Sequence, residues 1–212
     1  MVLFEEIRQC LIEGDIPGVV EGVSAALEQG MDAEHILNNA LISGMTTVGQ
    51  LFEDGEYFIP EMMMAARSMQ EGVALLKPQL IAQNVKPLGK FVIGTVKGDL
   101  HDIGKNLVAM MLEGIGFEVI DLGADVAPEK FVEAVKQHEA HFVGISALLT
   151  TTMAGMKTCI EALKNAGLRE RVIVMVGGSP VSQKYADSIG ADIYAADGAS
   201  AARKAKERML AN

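Results

Sequence analysis

The stretch FVIGTVKGDLHDIG, residues 91–104, decides the fold. Its first six residues are an apolar, β-branched run, the pattern of a strand buried on both faces. Its polar, glycine-containing remainder leads into a helical pattern. Further along, FEVIDLG (117–123), HFVGIS (141–146), VIVMVGG (172–178) and DIYAA (192–196) repeat the apolar run. Helical segments follow each of them, including one from about Pro128, one near 152–165 and a last one to the C-terminus. Five buried strands alternating with helices predict a parallel sheet covered on both sides, with right-handed crossovers. The expected domain is a doubly wound, flavodoxin-like (Rossmann-type) α/β sheet over residues 88–212.

Upstream the rhythm is helical. Gly14-Asp15 separates two helices, with Asp15 as N-cap and Pro17 in the first turn. Gly30 ends the second helix and Asp32 caps a third. Ile36, Leu37, Ala40, Leu41, Gly44 and Val48 fall near helical spacing on one face. Asp54-Gly55 breaks that pattern, and Pro60 opens a fourth helix from Glu61 to about Leu80. This predicts a four-helix bundle over residues 1–87, joined to the sheet domain by the linker NVKPLGK, 84–90.

The chain has 212 residues, half of them hydrophobic, which supports a packed core. Its formal net charge of -10, with no local Lys/Arg cluster, argues against nucleic acid or an anionic membrane surface as partner. Cys10 and Cys159 have no metal-ligand spacing. MVLFEEIRQC lacks the features of a secretory signal, and no apolar run spans a bilayer, so a cytoplasmic location is expected.

In doubly wound sheets ligands bind beyond the carboxyl ends of the strands. The first strand leads into Gly98-Asp99-Leu100-His101-Asp102-Ile103-Gly104, and the third ends in Ser146-Ala147-Leu148-Leu149-Thr150. The fourth ends in Gly177-Gly178-Ser179-Pro180, and the fifth in Ala195-Ala196-Asp197-Gly198. A lone histidine is usually a surface or core residue. His101, however, stands on this rim two residues after Asp99. A carboxylate that takes the Nδ1 proton leaves Nε2 free to face a metal. One imidazole cannot hold a bare zinc ion, and His35, His138 and His141 lie on the bundle or near the opposite sheet edge. A single protein ligand suits a metal whose other donors come from a macrocycle, and no CxxCH haem attachment occurs.

Asp99-x-His101-x-x-Gly104, Ser146-x-Leu148 and Gly177-Gly178 resemble, in order and spacing, the three-part signature of cobalamin-binding domains, including that of methionine synthase. The resemblance implies a cobalamin or related corrinoid, with His101 replacing the cofactor's own base on cobalt. It implies Asp99 as the partner of His101, Thr152 as the end of a proton relay, and Ser146 as a hydrogen-bonding partner of the displaced base. Leu148, Thr150, Gly177 and Gly178 would line the path of the nucleotide tail. Gly98, Asp102, Ile103, Ala196 and Asp197 join the candidate cofactor-binding residues by their place on the rim. Tight turns and close packing are the ordinary explanation of the glycines.

Val48-Gly49-Gln50-Leu51-Phe52-Glu53-Asp54-Gly55-Glu56-Tyr57-Phe58-Ile59-Pro60-Glu61 extends the resemblance to corrinoid proteins of methylamine, methanol and methoxy-compound methyltransferase systems. Ser146–Met153 and Val176–Val181 look closest to the methylamine type. The implied role is a non-autonomous methyl carrier. It would receive a methyl group from a substrate-specific methyltransferase and deliver it to a second one, with coenzyme M or a tetrahydropterin as acceptor. A reductive activation protein is a further implied partner. Met62 and Met63, with Met64, Phe58 and Tyr57 behind them, are candidates to cap the upper corrin face; core packing is the competing reading. A cobalamin-dependent sensor and a flavin or nucleotide binder are the alternatives. The first loop has neither GxGxxG nor a P-loop pattern.

Overall fold

The computed structural model describes residues 2–211. The chain divides into two compact units: residues up to Lys86 together with 114–116, and Pro87–Glu113 with Phe117 onward.

The helical unit begins with α1 (Val2–Ile12) and α2 (Ile16–Glu28). Asp15 caps α2 by accepting a hydrogen bond from Gly18 N at 3.2 Å, which satisfies one of the unpaired amides of the first turn. Asp32 does the same for α3 (Ala33–Ile36), accepting from His35 N at 2.9 Å. The expected third helix is one rod, but it widens into a π-helical segment at Leu37–Ile42 before continuing as α4 (Ser43–Glu53). Asn39 Nδ2 donates to His35 O at 3.0 Å. Helix α5 (Ile59–Ala82) starts two residues before the expected Glu61. Pro60 needs no amide partner in the first turn, and Glu61 Oε2 accepts from Phe58 N at 3.0 Å. The helix also runs through Pro78 and past the expected end. Ile7, Leu11, Val19, Val23, Leu41 and Leu76 are fully buried in this unit.

The second unit contains β1 (Lys90–Thr95), α6 (Ile103–Gly114), β2 (Glu118–Asp121), α7 (Pro128–His138), β3 (Phe142–Ser146) and α8 (Ala154–Asn165). A short 3₁₀ turn at Arg169–Arg171 precedes β4 (Ile173–Gly177), α9 (Gln183–Ile189), β5 (Ile193–Ala195) and α10 (Gly198–Leu210). The strands are all parallel, in the order β2-β1-β3-β4-β5. This is the flavodoxin-like order expected from the sequence. β2 and β5 are shorter than their apolar runs because they are edge strands with a ladder on one side only. Val92, Val143, Val174, Ile145 and Val176 pack with Phe131 of α7 and Met156, Ile160 and Leu163 of α8. Elsewhere in the core Phe91 and Phe142 stack at 5.3 Å, with Phe117 edge-on to Phe142 at 5.5 Å.

The register positions the rim. Thr95 pairs with Ser146, Ser146 with Gly177, and Gly177 with Ala195. The last residues of four strands therefore form one row, and the loops beyond them converge. No described helix is long and apolar enough to cross a membrane.

Candidate functional site

The site is built on the loop between β1 and α6. Thr95, buried at the end of β1, donates from Oγ1 to His101 O at 3.0 Å, folding the loop back on its strand. Asp99 is fully buried there. Its Oδ1 accepts from His101 N at 3.1 Å and from His101 Nδ1 at 2.8 Å. Its Oδ2 accepts from Leu148 N at 2.8 Å, Leu149 N at 3.3 Å and Thr152 Oγ1 at 2.7 Å. Burial pushes the Asp99 carboxyl up, but the hydrogen bonds from Thr152, Leu148 and His101 outweigh it and hold the group well below the ordinary carboxylate range. The buried carboxylate is therefore charged, and each of its five neighbours is a donor.

This fixes the imidazole. With an ionised acceptor at 2.8 Å, Nδ1 carries the ring proton and the Nε2 lone pair is left facing out. No described group bonds Nε2, and half of the side chain is exposed. The helix that follows β3 begins at Ala154 rather than near 152, because the backbone at 148–149 and the Thr152 hydroxyl are engaged on Asp99.

Several large apolar side chains of these loops are exposed. Leu100 and Ile103, which flank His101 and Asp102 in sequence, are 76% and 77% exposed, and Leu148 and Leu149, whose backbone N–H groups bond Asp99, are exposed too. Gly104, in the first turn of α6, has nothing within 4 Å of where a Cβ would stand. No protein atom requires a glycine there, so the open space is available to a ligand. Gly177 and Gly178 differ. A Cβ on Gly178, at φ +129, would lie 2.0 Å from Ala147 O, and one on Gly177 would lie 2.8 Å from Ala195 O.

The other expected site residues are distributed as follows. Ser146 ends β3 in the row described above, and its carbonyl accepts from Val96 N at 3.0 Å. Thr150 and Ala196 are exposed. Gly98 is exposed with φ 84, and Asp102 is exposed, its carbonyl accepting from Asn106 N at 2.7 Å. Asp197 serves as the N-cap of α10, accepting from Ser200 N at 2.7 Å. Met62 is a correction: it is fully buried, so its thioether has no open surface to offer, whereas Met63, one residue on around the helix, is exposed. Tyr57 is also structural, donating its hydroxyl to Ile12 O at 3.1 Å. His141, at the opposite end of the sheet, accepts from Lys90 N at 3.0 Å.

Sequence reasoning passed over the end of β2. There Asp125 Oδ1 accepts from Gly98 N at 2.7 Å, and Asp125 N donates to Asp99 O at 3.0 Å. Lys105, with a side chain only 1% exposed, is paired with Asp121 and with Asn106 Oδ1 at 2.6 Å. Asp125 lies four residues beyond the end of β2 and meets Gly98 only because β2 pairs beside β1, so no local sequence signal marks it.

An imidazole with one nitrogen locked and the other free, with exposed apolar residues in the loops that hold it, fits a flat macrocycle that brings its own metal donors. Among the described residues no group of three or more His, Cys, Asp or Glu is placed to hold a bare ion. Fold and site together define a macrocycle-carrying α/β protein with a helical unit ahead of it.

Comparison with known proteins gives the class its name. The B12-binding domain family matches residues 89–206, and a second B12-binding domain family matches residues 3–77. Dimethylamine corrinoid protein 1 of Methanosarcina mazei is 48% identical over 210 residues, covering 97% of each chain. The methanol:cobalamin methyltransferase complex of Methanosarcina barkeri contains a chain that superposes with a TM-score of 0.86 at 33% identity, covering 99% of this chain and 80% of that one. A cobalamin-binding protein of Desulfitobacterium hafniense superposes with a TM-score of 0.83 at 34% identity, covering 99% of both. The chain belongs to the family of B12-binding corrinoid proteins, and its cofactor is cobalamin or a related corrinoid.

Proposed function

We propose that this protein is a methyl carrier in which His101 Nε2 ligates the cobalt of the bound corrinoid. The observation that carries the reading is the orientation of His101 by a buried, ionised Asp99 that is itself held by four further donor bonds. The corrinoid, when bound, supplies a cobalt centre that takes up and gives up a methyl group. The chain's own residues do the rest. Asp99 keeps the Nδ1 proton in place and makes the imidazole a better donor. Thr152, Asp99 and His101 form a continuous hydrogen-bonded line, of which Thr152 would be the far end and which holds the ring with Nε2 outward. Leu100, Ile103, Leu148 and Leu149 would offer apolar surface to the corrinoid. Gly104 leaves clearance beside the ring. Ser146, Leu148, Thr150, Gly177 and Gly178 are the residues that would hold the nucleotide tail along the rim.

The methyl donor in this reading is a methylamine-type compound, supported by the dimethylamine corrinoid relatives. A substrate-specific methyltransferase would load the carrier, as the complex containing the methanol-system neighbour supports. A second methyltransferase would unload it to coenzyme M or a tetrahydropterin, and a reductive activation protein would restore a carrier that has been oxidised. A cytoplasmic location completes the reading. Nothing in the comparisons supports the sensor alternative.

The test is direct. Protein labelled with ¹⁵N-histidine and loaded with cob(II)alamin should show the two-line nitrogen splitting of an axial ¹⁵N ligand in its electron paramagnetic resonance spectrum. His101→Ala should lose that splitting. A splitting that is absent in the parent, or that survives in the variant, overturns the assignment.

A further inference from the structure

We propose that Asp125 is a positioning residue for the cobalt ligand: its carboxylate and its backbone N–H clamp the loop on both sides of Asp99 and so hold the aim of His101. The proposal rests on the reading that His101 ligates cobalt. Asp125 lies in the loop that leaves β2, 27 residues from Gly98. Its Oδ1 takes the N–H of Gly98 at 2.7 Å, immediately before Asp99. Its own N–H gives a bond to Asp99 O at 3.0 Å, immediately after. Val96 and Val126 form a further bridge between the same two segments, and Val126 N donates to Thr95 O at 3.0 Å.

The backbone is specialised for this. Asp125 has φ 56, in the left-handed region that non-glycine residues avoid and that Asp and Asn tolerate best. Gly98 has φ 84, so the amide that Asp125 receives comes from a turn that only glycine adopts without cost. Two uncommon conformations thus meet at one hydrogen bond. The inner side of Asp99 is held by Leu148, Leu149 and Thr152, and Asp125 supplies the outer side. Without it, the peptide before Asp99 has no side-chain brace, and the carboxylate's angle to the imidazole is set from one side only.

Three variants separate the parts of the device. Asp125→Asn keeps an acceptor oxygen and tolerates the same φ, so it should match the parent. Asp125→Gly keeps the turn but removes the acceptor. It should weaken cob(II)alamin binding to the apoprotein about tenfold, the lower end of what loss of a supporting hydrogen bond costs a metal site. It should also reduce the histidine-on fraction in the nitrogen splitting of the ¹⁵N-histidine protein, while the thermal midpoint of the apoprotein moves little. Asp125→Ala adds backbone strain and should also lower that midpoint. In the apoprotein, amide exchange at Gly98 should quicken in the glycine variant. A glycine variant with parental affinity, splitting and exchange overturns the role of Asp125 and leaves His101 in place. An asparagine variant as impaired as the glycine variant overturns the clamp as stated, since an acceptor oxygen at Gly98 N would then not be enough and the charge of Asp125 would carry the effect. A parent whose splitting does not depend on His101 overturns both readings together.

Discussion

Replacing Asp99 by Asn tests the logic of the site most sharply, because every neighbour of that carboxylate is a donor. The amide must place its NH₂ where one oxygen now stands. If it replaces Oδ2, it meets Leu148 N–H, Leu149 N–H and the Thr152 hydroxyl, of which only the hydroxyl can turn round. If it replaces Oδ1, it meets His101 N–H and the imidazole, and the ring can respond by moving its proton to Nε2 and accepting at Nδ1. The second arrangement strands one backbone donor rather than two, so it wins. The cost is about 1–3 kcal/mol for the stranded amide, with a further loss because the remaining bonds no longer end on a charge. A total of about 3 kcal/mol is within the stability of an ordinary domain, so the variant should fold. Its histidine now presents a proton where the metal needs a lone pair, and corrinoid affinity should fall about 10- to 100-fold. Urea unfolding of the apoprotein measures the first quantity, spectral titration with cobalamin the second, and ¹⁵N NMR of the neutral ring reads the tautomer. If Asp99→Asn kept the proton on Nδ1 and bound cobalamin as the parent does, the argument from donor counting would be refuted.

Other consequences follow from the same geometry. Because the Asp99 carboxyl is held below the ordinary range, the folded chain binds fewer protons there than the unfolded chain. The stability it lends is present above about pH 4 and drains away as pH falls below that; acid unfolding should be shallower for Asp99→Asn than for the parent. Gly104→Ala should leave the apoprotein's melting unchanged or slightly raised, since the added methyl meets no protein atom and alanine favours the helix. It should lower cobalamin affinity, and unchanged affinity would show that the ligand does not use that space. Burial, with Glu129 adding to it, pushes the Cys159 thiol up to about 12. Iodoacetamide at pH 8 should therefore spare Cys159 until the protein is unfolded, and rapid labelling of Cys159 itself in the native protein, read by peptide mapping to separate it from the half-buried Cys10, would mean that α8 is not packed as described.

The alternation of short β-branched runs with helical stretches determined the doubly wound sheet, because strands buried on both faces advertise themselves by composition alone. The pairing of His101 with Asp99 was equally legible, since two residues in one loop need no tertiary partner to meet. Asp15 and Asp32 were readable as caps for the same reason: the bond closes within one turn. What lies across the chain was not readable to the same depth. Leu148 N–H, Leu149 N–H and the Thr152 hydroxyl reach Asp99 from 49 to 53 residues away, and only the in-register row of Thr95, Ser146 and Gly177 brings their loops together. Asp125 is an ordinary loop aspartate until β2 is paired beside β1. Met62 and Met63 are alike in sequence and opposite in burial, because a helix turns successive side chains about 100° apart and packing chooses which one goes inside. Local chemistry is written in neighbouring residues, whereas the donors that hold a buried carboxylate charged exist only where the sheet's strand order has made distant loops adjacent.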